Sequence, residues 1–181
     1  MKKVSVVIPM YYEEDVAQIC YDRLNVVLEE LKKEYDYEII FVNDGSKDKT
    51  LSILKSIADE NKNIKIISFS RNFGHQAAVT AGIKEVSGDA IVIMDADLQD
   101  PPELIPDMLK LWEDGYEVIY GKRNTRKGES AFKLLTAKMF YSFLNAMSEV
   151  EIPKNTGDFR LVDRSVIDVI NNLPEHNKFL R

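Results

Sequence analysis

The 181-residue chain has a single cysteine, Cys20, and only two histidines. One thiol excludes an internal disulfide and a thiolate zinc site. Cys20 falls in a helical stretch and reads as a small buried residue rather than a nucleophile. Long hydrophobic runs are also missing, and none approaches the ~20 apolar residues that cross a bilayer. The opening "MKKVSVVIPM" is too short for a signal peptide and contains Pro9, so it reads as a first strand. A basic surplus is absent: 24 cationic against 30 acidic residues leave a net charge of -6. That argues against a global nucleic-acid footprint, because phosphate backbones select basic faces. No G-x-G-x-x-G follows the first strand and no G-x-x-x-x-G-K-[ST] occurs, which disfavours a dinucleotide fold and a P-loop. Linkers, internal repeats and low-complexity tracts are lacking too. With 45% hydrophobic residues, the chain suits one compact domain with a real core.

What is present alternates. The runs 3–9, 37–42, 64–69 and 89–95 are apolar and β-branched, at strand length. They are almost continuously hydrophobic, as a parallel sheet covered on both faces requires. Helical spacing occupies 13–34, 48–60, 75–86 and 103–113, and "DGSKDKT" before the second helix supplies a capping Ser or Asp. A further strand is predicted at 116–121, a helix at 129–148, a loop entering a short strand at 155–164, and a last helix in "RSVIDVINNL". The class is α/β, a mostly parallel, Rossmann-like sheet flanked by helices on both faces. Ligands of such sheets bind at the carboxyl ends of the strands. Four polar clusters follow the first four strands: "PMYYEED", "VNDGS", "SRNFGHQ" and "DADLQD".

Each cluster has a plain and a functional reading. Asp95 and Asp97, two residues apart past a strand end, either cap the next helix or share one hard cation, with Gln99 adding a carbonyl oxygen. Their place at the ligand edge favours the metal. Asp44 is either a turn residue or an acceptor for a nucleoside. Tyr11 suits stacking on a base, and Glu13 suits accepting from a base or sugar. His75 is either a polar residue at a helix start or a chemical group. Ala77, Ala78, Ala81 and Gly82 permit close helix–sheet packing. The cations Lys122, Arg123, Arg126 and Lys127 form a solvated face or meet an anionic head group or phosphate.

In order, "VVIPMYYEE", "FVNDGS", "SRNFGHQAAVTAG", "MDADLQDPPE", "GKR", "GDFRLVDR" and "EHNKFLR" resemble the family 2 glycosyltransferases that act on polyprenyl phosphates. The resemblance covers essentially the whole chain. It implies a GT-A fold, a nucleotide-sugar donor, UDP-linked by the lean of "DLQDPPE" and "SRNFGHQ", and inversion at the anomeric carbon. It implies that Pro9, Tyr11, Glu13 and Asp44 cradle the nucleoside, with Arg71 and Ala96 in the donor-binding set. Asp95, Asp97 and Gln99 would hold Mg²⁺ or Mn²⁺ against the diphosphate. Asp158 would be the base or the group orienting the acceptor, Arg123 and Lys138 would meet the acceptor phosphate, and Arg181 would lie near the phosphates. The implied acceptor is undecaprenyl or another polyprenyl phosphate at the cytoplasmic face of the cell membrane, and a homo-oligomer fits the family. Such proteins continue into amphipathic and then membrane-spanning helices, so residues 1–181 are expected to be a single catalytic domain cut before them. Two alternatives stay open: a family 2 transferase extending a glycan hydroxyl, whose frequent Q-x-x-R-W motif is absent here, and a non-catalytic nucleotide-sugar binding module.

Overall fold

The structure, a computed structural model, describes residues 1–122 and 156–174. Strand β1 (Lys2–Met10) leads to helix α1 (Ala17–Leu31), β2 (Tyr35–Asn43), α2 (Thr50–Glu60), β3 (Ile64–Ser68), α3 (His75–Glu85) and β4 (Ala90–Ile93). A 3-10 turn at Pro102–Leu104 runs into α4 (Ile105–Glu113), followed by β5 (Val118–Lys122), β6 (Thr156–Asp163) and α5 (Arg164–Asn172). The sheet has the order β3-β2-β1-β4-β6-β5. β1 pairs in parallel with β2 and β4, β2 in parallel with β3, and β6 runs antiparallel to β4. The predicted α/β sheet, mostly parallel and covered on both faces, is the observed one. By its contacts the chain divides into two compact units, Met1–Ile119 with Asp158–Arg181, and Tyr120–Gly157. Every residue of the site described below lies in the first.

Strand parity sorts the core into two layers, because successive side chains point to opposite faces of a sheet. Val4, Val6, Ile8 and Met10 of β1, Ile39 and Phe41 of β2, and Val92 of β4 pack under α1, α2 and α4. Val7, Ile40, Val42, Ile91, Ile93 and Val162 face the other way, under Ala78, Val79 and Ile83 of α3 and Ile167 of α5. Gly82 lets α3 settle: a Cβ there would come within 2.3 Å of Val7 Cγ1.

Three boundaries differ from expectation for identifiable reasons. α1 begins at Ala17, not near 13, because the loop after β1 is tied to the loop after β2. Tyr12 N–H donates to Ser46 Oγ at 3.0 Å, Glu13 N–H to Thr50 Oγ1 at 2.9 Å, and Glu14 N–H to Asp48 Oδ2 at 3.3 Å. Tyr12 itself takes φ 57°, which a helix does not allow. β4 ends at Ile93, so Asp95 and Asp97 stand beyond the strand. β6 is an eight-residue strand where a loop and a short strand were expected. Its partner β4 supplies the apolar register, Val92 against Leu161 and Ile91 against Val162. The capping residue expected before α2 is Asp48, whose Oδ1 accepts from Thr50 N at 3.1 Å. The helix expected at 129–148 lies outside the described residues.

Candidate active site

The carboxyl ends of β1, β2 and β4 and the start of α3 enclose a cleft of about 280 Å³. Pro9, Tyr11 and Glu13 line one side; Asp44, Asn72 and His75 another; Asp95, Ala96 and Asp97 close it. Met10 and Ala78 complete the lining.

Parity explains why these residues meet. Asp44 follows Val42 by two residues, and Asp95 follows Ile93 by two; both predecessors belong to the layer under α3. Asp44 and Asp95 therefore continue toward the amino end of that helix. Asp158 and Arg160 share the same parity on β6, ahead of Val162. The result is a contact across twenty positions of sequence: His75 Nε2 lies 2.9 Å from Asp95 Oδ1. Oxygens of Asp95 and Asp158 and a ring nitrogen of His75 all fall within 4.8 Å of one another. Arg160 Nη2 sits 3.4 Å from Asp158 Oδ1, and both residues line a small neighbouring pocket with His75, Gln76, Val79 and Ile93.

Asp44 is buried at 2% exposure, and its two oxygens accept from Phe73 N–H at 2.7 Å and Gly74 N–H at 2.9 Å. It lines the cleft while fixing the loop that presents His75. Gly45, at φ 71°, lies so close to the backbone of Arg71 that a Cβ would be 2.3 Å from its carbonyl carbon. Asp97 is exposed, and its Oδ1 accepts from Gln99 N–H at 3.0 Å, with Leu98 at φ 57° closing the turn. Asp100 is buried.

The electrostatics of the cleft lean one way. Burial, then the charges of Asp97, Asp95 and Asp48, push the Glu13 carboxyl above its ordinary range. Carboxylates crowded at one edge, with an imidazole among them, fit a divalent cation by donor type.

Of the residues expected at the site, Pro9, Tyr11, Glu13, Asp44, Asp95, Ala96 and Asp97 line the cleft. Asp158 joins Asp95 and His75 beside it. Arg71 is exposed and stacks its guanidinium 4.3 Å over the Phe73 ring, beside the lining rather than in it. Gln99 contributes its backbone to the Asp97 turn. Arg123, Lys138 and Arg181 lie outside the described residues. Asn72 and Arg160 were not singled out beforehand, and the role of His75 was left open.

Known proteins share this family and fold. Residues 5–170 match the model of "Glycosyl transferase family 2". An uncharacterized glycosyltransferase of Bacillus subtilis, YkcC, is 52% identical over 98% of this chain and 54% of its own length. The prophage bactoprenol glucosyl transferase homolog of Escherichia coli is 41% identical over 99% of this chain and 58% of its own. The chain thus spans somewhat more than half the length of these relatives. The mannosyltransferase PcManGT of Pyrobaculum calidifontis, solved with GDP-Man and Mn²⁺, superposes with a TM-score of 0.68 at 19% identity. That match covers 96% of this chain and 48% of the other. The fold is GT-A, and the chain belongs to glycosyltransferase family 2.

Proposed function

We propose that the chain is the catalytic domain of an inverting transferase that moves a sugar from a nucleotide-sugar, UDP-linked, to a polyprenyl phosphate at the cytoplasmic membrane surface. One observation carries the reading. Asp95 and Asp97 line one cleft with Pro9, Tyr11 and Glu13 at the carboxyl edge of the sheet, and Asp158 stands beside that cleft within 4.8 Å of Asp95 and His75. The kinship with a bactoprenol glucosyl transferase homolog supports the acceptor class.

Pro9, Tyr11 and Glu13 take the nucleoside, and Asp44 holds the wall on which it rests. Asp95 and Asp97, with Gln99, would hold Mg²⁺ or Mn²⁺. When bound, the ion stabilises the negative charge that develops on the departing nucleotide. The attacking oxygen belongs to a phosphate monoester, whose second pKa of about 6 leaves it largely dianionic at neutral pH. A strong base is therefore unnecessary, and Asp158 serves to orient the acceptor on the face opposite the leaving group. Cations from the "GKR" segment offset the repulsion of two anionic substrates brought together.

The test is transfer of labelled sugar from a panel of UDP- and GDP-sugars to polyprenyl phosphate by the full-length protein. Asp97→Ala is expected to lower the rate by roughly 10²-fold or more, the several kcal/mol that metal stabilisation supplies. Equal rates for variant and wild type would remove the metal role. Transfer to soluble sugar hydroxyls in preference to polyprenyl phosphate would replace the acceptor assignment.

A further inference from the structure

Tyr11 and Glu13 reach the cleft from the loop between β1 and α1. Connecting loops are ordinarily the mobile parts of a domain. This one is held along its length by the segment 46–50. Tyr12 N–H donates to Ser46 Oγ, Glu13 N–H to Thr50 Oγ1 and Glu14 N–H to Asp48 Oδ2, at 3.0, 2.9 and 3.3 Å. Lys49 N–H returns a bond to Glu14 Oε2 at 2.8 Å. The other oxygen of Asp48 accepts from Thr50 N–H at 3.1 Å, which joins two of the three holding side chains. Glu13 is fixed from its far side as well: its carbonyl accepts from Val16 and Ala17 N–H at 3.1 and 2.8 Å. Tyr12 holds φ 57°, a left-handed backbone that tyrosine seldom adopts. Such a conformation persists where its surroundings over-determine it, and it clusters at ligand sites. In it the Tyr12 ring meets Tyr11 edge to face, with centroids 4.7 Å apart.

We infer that Ser46, Asp48 and Thr50 form a clamp that sets Tyr11 and Glu13 in their nucleoside-binding arrangement before the donor arrives. The three are positioning residues, since the cleft lining includes none of them. The inference rests on the donor reading above and adds to it what sets donor affinity. A ligand that needs one loop arrangement binds more weakly in proportion to the fraction of molecules that lack it. Loss of one clamp bond therefore raises the Kd of the donor nucleotide, by no more than that bond is worth, about 2–10-fold for an ordinary hydrogen bond. Bound donor holds the loop in place, so the rate at saturating donor is kept. Thr50 is the centre of the clamp, fully buried and bonded to the N–H of Glu13 itself. The competing role is a staple between two loops that serves global stability alone.

The experiment compares full-length wild type with Ser46→Ala, Thr50→Val and Thr50→Ser. Thr50→Val keeps the shape and loses the hydroxyl; Thr50→Ser keeps the hydroxyl. Binding of UDP and of GDP, each with Mn²⁺, is measured by calorimetry, and sugar transfer to polyprenyl phosphate is measured on the same preparations. For the nucleotide that wild type binds, Kd is expected to rise about 2–10-fold in Ser46→Ala and Thr50→Val. KM for the nucleotide-sugar should rise with it, while kcat stays within about twofold. Thr50→Ser should restore the wild-type Kd. Hydrogen exchange supplies the readout that a staple does not move: the amides of Tyr12, Glu13 and Glu14 should exchange faster in Thr50→Val while those of β1 and β2 keep their rates. An unchanged Kd, a loss confined to kcat, or faster exchange throughout β1 and β2 overturns the clamp and leaves the transferase reading standing. Wild type that binds neither UDP nor GDP overturns both. Ser46→Ala, at a half-buried position, carries the same comparison where Thr50→Val folds poorly.

Discussion

Asp44 and Glu13 face the same cleft and behave oppositely. Asp44 has its charge met by two backbone N–H groups, Phe73 and Gly74, so it is a structural anion at a ligand edge. Asparagine in its place offers one acceptor oxygen for two donors. Asp44→Asn should therefore lose about 1–3 kcal/mol, the cost of an unmet buried donor, read from chemical denaturation. Glu13 has no such compensation: burial comes first, and the nearby Asp97, Asp95 and Asp48 add to it. A carboxyl whose folded pKa is raised favours folding when protonated, and that contribution fades as pH climbs through the folded value. Above the folded value the raised pKa is a net cost to folding. Glu13→Gln should accordingly raise the melting temperature of the metal-free protein, measured by calorimetry. An unchanged or lowered melting temperature would refute the acid surplus.

Among elements, α3 decides the site. It carries no side-chain cap of its own at Gly74, and Asp44, just past the end of β2, replaces one. Its approach to the sheet is set by Gly82, packed against the branched side chain of Val7, with Val42 Cγ2 3.2 Å from where a Cβ would be. Alanine elsewhere in a helix stabilises, by roughly 0.8–1 kcal/mol over glycine. Here the added methyl meets two core side chains. Gly82→Ala should destabilise by about 1–3 kcal/mol despite its better propensity. Denaturant titration of the variant beside wild type checks this.

At the scale of the whole molecule, the two ends of the sheet hold acids in contrasting states. Toward the amino ends of the strands, Glu38 is buried, and burial alone would raise its pKa. Bonds from Ser5 Oγ, Ser87 N–H and Oγ, and Lys65 outweigh that and hold it at about 2. Lys3 adds a second ion pair at 3.2 Å. The depressed value means that Glu38 stabilises the fold above its unfolded pKa, about 4.5, and that this is lost as pH falls toward 2. The contribution is on the order of 3 kcal/mol at neutral pH. Unfolding free energies of wild type and Glu38→Gln should differ most near pH 6 and converge as pH falls through about 2; a constant gap would refute the assignment. The chain neutralises its own charge at this end. At the other end it gathers Glu13, Asp95 and Asp97 around one cleft, with His75 beside Asp95, a donor set that suits a divalent cation.

The alternation of apolar runs with helical spacing was enough to define the parallel sheet, both helical layers and the edge where ligands meet it, because burial on two faces demands continuous hydrophobic strands. Asp95 and Asp97 were legible for the same reason: they follow a strand that ends at Ile93. The length of β6 was not, since its register comes from β4, about seventy positions earlier in the chain. Nor was the pairing of His75 with Asp95, or the engagement of Asp44 with the loop before α3. Local pattern records which side chains are buried and at what period. Which polar groups then face one another depends on strand order and on the face each parity occupies, and those exist only once the sheet has assembled.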